Sequence, residues 1–325
     1  MYHDAMHGSV QPDTSALRGG QSPHELEEAY QLVGHDVPEG MRLLFQTLKH
    51  LRDTLPQQDW SRFCRNTCRA HPLHNLVQQD PATRRCFLKP RHYAGDAVLL
   101  DLFYKEQDPV TLGSSELGWE IHRFLSRQQT AVSLRRRRDL LAHWLDELAE
   151  QTPGAHVLSV ACGHLREALL SRAVRERRLG EFLALDQDSE SLEVVDKEAG
   201  PYGVTSMCGT VRALLKGELR VTGLDGIYAA GLYDYLPRRV ATQLTRILFS
   251  MLKPGGRLLL ANYGDPLPDS DFKAYMEAFM DWWLIYRDEA EVEQWTQEIP
   301  QKDLYRCQVS RREQGNLIFL EAIHA

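Results

Sequence analysis

The chain has 325 residues, 43% of them hydrophobic and 26% charged, with a formal net charge of −7. That length holds one large domain or two ordinary ones with ample core, and the composition is that of a globular protein. The negative balance argues against a nucleic-acid partner, no apolar run reaches the ~20 residues that cross a membrane, and six scattered cysteines do not make a secreted disulfide framework, so cytoplasmic residence is the expectation.

Residues 1–24 are polar, lack the apolar core of a signal peptide, and are expected to be disordered. Residues 25–152 are expected to form a helical cap or lid. Leu32, Met41, Leu44, Leu48 and Leu51 recur at helical spacing, and Trp144, Leu145 and Leu148 continue the pattern. Pro38, Pro56, Pro72, Pro81, Pro90 and Pro109 divide this half into short helices and turns. Cys64, Cys68, His71 and His74 resemble a zinc box only loosely, because zinc sites usually separate two ligand pairs by a loop. On a helix Cys64 and Cys68 share a face, which suits a buried stripe, and no metal is expected. Arg135 to Arg138 form the one basic run, either a solvated helix face or a contact to an anionic ligand.

Gln151-Thr152-Pro153-Gly154 marks a boundary, and 153–325 reads as a second domain. Apolar runs near 156–160, 181–185, 203–208, 224–230 and 256–263 alternate with helical patterns near 165–178, 189–198, 210–218, 237–252 and 270–283. That alternation predicts a doubly wound parallel sheet with crossover helices. At the close, runs at 305–311 and 317–323 flank the turn Gln314-Gly315-Asn316 and must pair antiparallel.

The chemistry concentrates in the first βαβ unit. The run Val157 to Val160 ends in the small-residue turn Ala161-Cys162-Gly163, and a second run ends in Asp186. A turn that lets a ligand approach the backbone, followed about 20 residues later by an acid that can accept from both ribose hydroxyls, is the layout of a nucleotide site. Gln187 and Asp188 follow as adenine-side contacts or helix cap. Gly209 and Thr210, after the third strand, pack adenine or cap a helix. Gly231 opens the segment GLYDYLP at the end of the fourth strand, where Tyr233 or Tyr235 could wall a cation, Tyr233 being preferred. Trp282 and Tyr286 share a face at helical spacing, and Arg287 is a candidate carboxylate anchor.

These segments resemble the class I S-adenosylmethionine (SAM) methyltransferases. VLSVACGHLRE is similar to their glycine-rich first motif, LALDQD to their ribose-binding acid, and MLKPGGRLLLANY (251–263) to the approach to their fifth strand. The resemblance implies an α/β fold, a Rossmann-like methyltransferase sheet ending in an antiparallel hairpin, with SAM as cofactor. KPRHYAGDAVLLDLFY (89–104), GLYDYLP and DWWLIYRDE (281–289) resemble a bacterial branch with a helical cap. It includes 3-hydroxypalmitic acid methyl ester biosynthesis enzymes and the SAM-cyclising azetidine-2-carboxylate synthase. Ser159 and His164-Leu165 stand where the family carries an acid and a glycine, so the partner of the methionine amine must come from elsewhere. Tyr93 and Asp96, on a turn bracketed by Pro90 and Gly95, are the expected replacement, unless that turn is only a structural joint.

The expected cofactor contacts are therefore Ser159, Ala161, Gly163, Asp186, Gln187, Gly209, Thr210, Gly231 and Tyr233, with Tyr93, Asp96 and Tyr233 at the reacting centre. The expected reaction is a substitution at a sulfonium carbon. Its first form is methyl transfer to a carboxylate or hydroxyl of a small or fatty-acid-like metabolite in secondary metabolism or signalling. A carboxylate needs no deprotonation, and no His/Asp dyad is evident. The alternatives are cyclisation of SAM alone to azetidine-2-carboxylate, releasing methylthioadenosine, and a non-catalytic SAM-binding module. The sequence does not reveal the oligomeric state.

Overall fold

The computed structural model describes residues 22–104, 114–266, 270–312 and 316–325. The segment expected to be disordered falls outside them up to residue 21, as do Pro109 and, in the expected hairpin turn, Gln314 and Gly315. The chain divides into two units. The first takes Met1–Phe87, Pro109–Phe124 and Asp271–Asp281, and the second takes Leu88–Asp108, Leu125–Ser270 and Trp282–Ala325. The helical half read from the sequence is thus shared, since the helices Ala97–Tyr104 and Gln129–Gln151 group with the sheet.

Within the first unit, Asp36 caps the helix Val37–Thr54 by accepting from the Glu39 N–H at 3.1 Å. That helix buries Met41, Leu44, Leu48 and Leu51 of the stripe read from the sequence, together with Phe45, while Leu32 lies half-buried in the preceding helix Ser22–Val33. Phe45 packs against Phe124, Phe272 and Tyr275. Glu277 is buried and accepts from Trp60 at 2.6 Å and Arg52 at 2.7 Å. Cys64 and Cys68 are buried in a π-helical turn, while His74 packs against Phe87 and Phe279. Among the described residues no cluster of three or more His, Cys, Asp or Glu could hold a metal ion.

The second unit is built on seven strands: β1 (His156–Val160), β2 (Glu181–Asp186), β3 (Val204–Cys208), β4 (Leu224–Ala230), β5 (Leu252–Tyr263), β6 (Leu304–Arg312) and β7 (Leu317–His324). Their order is β3-β2-β1-β4-β5-β7-β6. The first five pair in parallel, and β7 inserts antiparallel between β5 and β6. This is the expected Rossmann-like methyltransferase sheet with its closing hairpin, and each expected strand is present. Side chains alternate across it. Leu158, Val160, Leu183, Leu185, Ile227, Leu258, Leu260, Ile318 and Leu320 join one core with Leu244 and Leu248 of the helix Arg238–Phe249.

On β4, Gly226 sits under the helix Gln129–Gln151, where an added Cβ would come within 2.4 Å of Leu148 and 2.8 Å of Trp144. Overpacking of this kind typically costs ~1–3 kcal/mol. Gly226→Val is therefore expected to lower the thermal midpoint, and an unchanged melt would contradict the packing.

Two helical expectations are corrected. The pattern at 165–178 breaks at Ser171, whose hydroxyl accepts from Val174 N–H, giving separate helices Arg166–Leu170 and Arg172–Arg175. The helix expected through 283 ends at Phe279, and 282–286 runs irregularly. The Ile285 N–H donates to the Asp234 carbonyl at 2.7 Å, a bond made outside any helix. Trp282 and Tyr286 therefore do not share a helical face. No helix of the described residues is long and apolar enough to cross a membrane.

Candidate active site

The strand order reverses between β1 and β4, and ligands of open α/β sheets bind beyond the carboxyl ends of the strands at such a point. A cavity of about 320 Å³ lies there, within the range of small-molecule sites. All its walls belong to the second unit.

Its floor is the turn after β1. Ala161, Gly163 and Leu165 all have left-handed backbone, with φ of 54°, 54° and 50°. Only one of the three is glycine, although left-handed geometry costs other residues ~1–2 kcal/mol each. The surroundings hold the turn in place. Cys162 N–H donates to the Leu185 carbonyl at 3.1 Å, Leu165 N–H to the Cys162 carbonyl at 3.0 Å, and Gly163 N–H to Asp186 Oδ2 at 2.8 Å. A Cβ on Gly163 would stand 3.1 Å from that of Ala97. Gly163→Ala is expected to cost ~1–2 kcal/mol through backbone strain alone, read as a lower thermal midpoint.

Asp186 closes β2 in the cavity wall with both oxygens engaged, Oδ1 accepting the Asp188 N–H at 2.9 Å. Burial raises its pKa, and the backbone donors of Asp188 and Gly163 act against that. Gln187 lines the wall beside it. Asp188 accepts from Glu190 N–H as cap of the helix Ser189–Glu198, and also holds Arg91 at 2.7 Å. Arg91 reaches Ser191 at 2.8 Å as well, which tethers the loop 89–96 to the end of β2. That loop delivers Tyr93 to the wall. Its hydroxyl pKa is pushed up by burial and then by the charges of Asp186, Asp188 and Asp96.

Deeper in, Ser159 is buried and hydrogen-bonded to Tyr228, whose hydroxyl donates to Glu167 Oε1 at 2.8 Å. Glu167 is fully enclosed, so burial raises its pKa. Arg137 lies in the same wall, only 3% exposed and hydrogen-bonded to Tyr104. Burial works against its charge, but Tyr104, Tyr263 and Asp234 hold its pKa up. Its guanidinium fills the space beside Gly231, where an added Cβ would meet it at 3.4 Å. The basic run is therefore mixed. Arg137 faces the cavity, while Arg135 donates to the carbonyls of Phe103 and Ser126 and Arg138 to that of Tyr104.

The helix Ala97–Tyr104 contributes Asp101. This carboxylate accepts from Arg166 at 2.6 Å on each oxygen and stands 2.9 Å from His164 Nδ1. Despite burial, these hydrogen bonds hold its pKa well below the usual carboxylate range. A His/Asp pair is present after all, assembled from residues 63 apart in sequence.

Of the candidate site residues, Ser159, Ala161, Gly163, Asp186, Gln187, Gly209, Gly231 and Tyr93 line the cavity. Three expected residues stand elsewhere. Tyr233 is fully buried, bonded to Thr245 at 2.9 Å and packed on Trp295, because the helical turn after β4 aims it into the core. Tyr235, two residues on, lines the wall instead, its hydroxyl accepting from Trp282 Nε1 at 2.7 Å. Asp96 is buried at the start of the helix Ala97–Tyr104 and accepts from Leu99 N–H at 2.8 Å, a capping role. Thr210 caps the helix Val211–Lys216 through Ala213 N–H. Arg287 is likewise no ligand anchor, since its guanidinium serves the carbonyls of Tyr233 and Leu236 and Asn262 Oδ1.

Asp101, His164, Glu167 and Tyr228 were not read from the sequence as site residues, and Arg137 was read only as one of a basic run open to an anionic ligand. A lone acid in the apolar run AVLLDLFY marks Asp101, and Arg137 falls on the buried stripe Leu134-Leu141-Leu145-Leu148. Nothing local marks Glu167, whose role depends on its bond to Tyr228.

No protein-family model and no curated protein sequence matches the chain. Among solved structures it is similar to a protein of Bordetella parapertussis described as a possible exported protein, with a TM-score of 0.61 and 16% identity, covering 97% of this chain and 99% of that one. It is also similar to magnesium protoporphyrin IX methyltransferase of Synechocystis PCC 6803, solved with bound SAH, with a TM-score of 0.47 and 16% identity, covering 70% of this chain and 99% of that one. At this identity the first likeness is one of fold.

Proposed function

We propose that the chain is a SAM-dependent methyltransferase acting on a carboxylate or hydroxyl of a small, fatty-acid-like metabolite, as in the helical-cap branch that its sequence resembles. One observation carries this reading. The wall of a single cavity holds the carboxylate that ends β2, Asp186, together with a second buried carboxylate, Glu167, and a buried guanidinium, Arg137. Those three groups match the ribose, the α-ammonium and the α-carboxylate of SAM. Glu167 takes the place of the acid that Ser159 lacks, reaching the end of β1 through Tyr228.

When bound, SAM supplies a methyl group on a cationic sulfur. The chain's own part is to hold both ends of the molecule, to set Tyr235 and Tyr93 about its middle, and to exclude water. An aromatic face beside a desolvated cation contributes ~0.5–2 kcal/mol. Positioning of donor and acceptor supplies much of the rate of such a displacement.

The test is calorimetric titration with SAM, followed by mass spectrometry of mixtures with and without 3-hydroxypalmitic acid. Binding, with S-adenosylhomocysteine formed only when the acid is present, supports the reading. Methylthioadenosine from SAM alone would replace it with cyclisation, and binding without any product would leave a SAM-binding module.

The affinity also carries a pH signature. Burial raises the Glu167 pKa in the free protein, whereas an ammonium partner favours the carboxylate. Binding therefore releases a proton. Affinity is full above the raised value and falls as pH drops through it, by up to about tenfold per pH unit. Asp186, also raised by burial, adds a slope of the same sign. In Glu167→Gln the dependence should be shallower, and an unchanged slope would remove Glu167 from the ammonium site.

A further inference from the structure

We propose that His164 is the catalytic base of this site and Asp101 its positioning residue, so that the group methylated carries a proton: an alcohol or phenol hydroxyl rather than a carboxylate. The inference rests on the reading above and narrows its acceptor.

The chemistry follows from the hydrogen bonds. Asp101 Oδ2 accepts from Arg166 and lies 2.9 Å from His164 Nδ1. A carboxylate held well below its usual pKa is ionised and can only accept, so Nδ1 carries the hydrogen. The neutral ring then has its lone pair on Nε2. That atom is buried without a hydrogen-bond partner among the described residues, on a side chain only 5% exposed that belongs to the cavity wall. A buried acceptor left unpaired costs ~1–3 kcal/mol, and a ligand's proton donor removes that cost. The arrangement is the base half of a nucleophile–histidine–carboxylate relay, in which the acid fixes tautomer and ring orientation.

His164 occupies the residue between Gly163 and Leu165 of the turn under the proposed cofactor, both left-handed. Its backbone is thus fixed by the same turn that Asp186 holds. Arg166 ties Asp101 on one side and Glu198 on the other, which keeps the carboxylate from swinging toward the ring or away from it. The charged groups beside the ring are Asp101 and Arg166, and the cavity wall also holds Arg137, Glu167 and Asp186.

In the step itself, the acceptor hydroxyl's proton passes to Nε2 and its oxygen forms the bond to the methyl carbon. The carbon–sulfur bond breaks, and its electron pair stays on sulfur. The positive charge that began on sulfur ends on the imidazolium, beside the Asp101 carboxylate. No further reactant is needed.

The test uses the full-length protein, SAM and paired probes that differ by one hydroxyl: decanoate against 3-hydroxydecanoate, and benzoate against 4-hydroxybenzoate. S-adenosylhomocysteine is expected from a hydroxyl member, as the methyl ether, and not from its partner. His164→Gln should lower that rate by roughly 10²–10⁴-fold, the usual worth of general-base catalysis, with SAM affinity kept within about threefold. Asp101→Asn should lower the rate of the wild-type protein and leave His164→Gln unaffected.

A fifth probe separates chemistry from structure. 4-Nitrophenol is largely ionised in mildly alkaline buffer, so wild type and His164→Gln should methylate it equally. Equal loss on both phenols, ester formation from the carboxylate probes, or no reaction of any hydroxyl probe would overturn the proposal. Failure of the wild-type protein to bind SAM would instead overturn the reading it rests on.

Discussion

Asp186→Ala is expected to remove SAM binding from the calorimetric window while leaving the protein folded. A ribose diol donates two hydrogen bonds to an ionised carboxylate, and such bonds contribute ~1.5–3 kcal/mol each. Losing both corresponds to roughly 10²–10⁴-fold in affinity. The effect exceeds a lost contact, because the same carboxylate also holds Gly163 N–H and Asp188 N–H. Without it, the left-handed turn loses a bond that offsets its strain. Asp186→Asn, which keeps an acceptor oxygen, should lose less than alanine does. Circular dichroism and a thermal melt establish that the variant is folded, and SAM affinity within a few-fold of wild type would refute the ribose assignment.

The second large effect concerns stability. Arg287, 3% exposed, donates to the Tyr233 carbonyl at 2.9 Å, to Asn262 Oδ1 at 2.7 Å and to the Leu236 carbonyl, and its guanidinium lies 5.4 Å from the Trp295 ring centre. Burial lowers its pKa, a sign of how much desolvation the site imposes. Arg287→Met would leave three buried acceptors without their donor, and truncating one side of a buried charged network costs ~3–5 kcal/mol. For a unit of this size that is a fall of roughly 10 °C in Tm. SAM affinity should change by less than about tenfold, through Tyr235, which sits on the turn Arg287 secures. An unchanged melt with lost binding would restore the carboxylate-anchor role that its position suggests.

The sequence spoke clearly wherever a pattern repeats locally. Alternation located all seven strands, since β-branched and leucine-rich runs of fixed length bounded by glycine and proline have few other structures open to them. Asp186 and the turn before it were equally legible, because their spacing is set by one crossover. The inner wall was not. Glu167, Tyr228 and Ser159 meet only after β1 and β4 are paired, and Asp101 meets His164 only after a helix 63 residues upstream is laid over the turn. Tyr233 and Tyr235 are chemically identical in the sequence. One helical turn after β4 sends the first inward and the second to the cavity. The apolar segment after Phe279 has helical periodicity, yet its backbone groups bond to the turn after β4 and to the end of β5 instead, a tertiary choice that no propensity encodes.

The seat of the helix Gln129–Gln151 on Gly226 ties two demands together. The stretch that presses Trp144 and Leu148 onto a bare strand is also the shaft that presents Arg137, two turns away, to the cavity. A side chain wedged beneath Trp144 is expected to shift that helix, and Arg137 with it. Selection for a tight core and selection for a correctly indexed charge then fall on one position that touches no ligand. Variants at Gly226 should consequently show kinetic defects alongside their thermal ones.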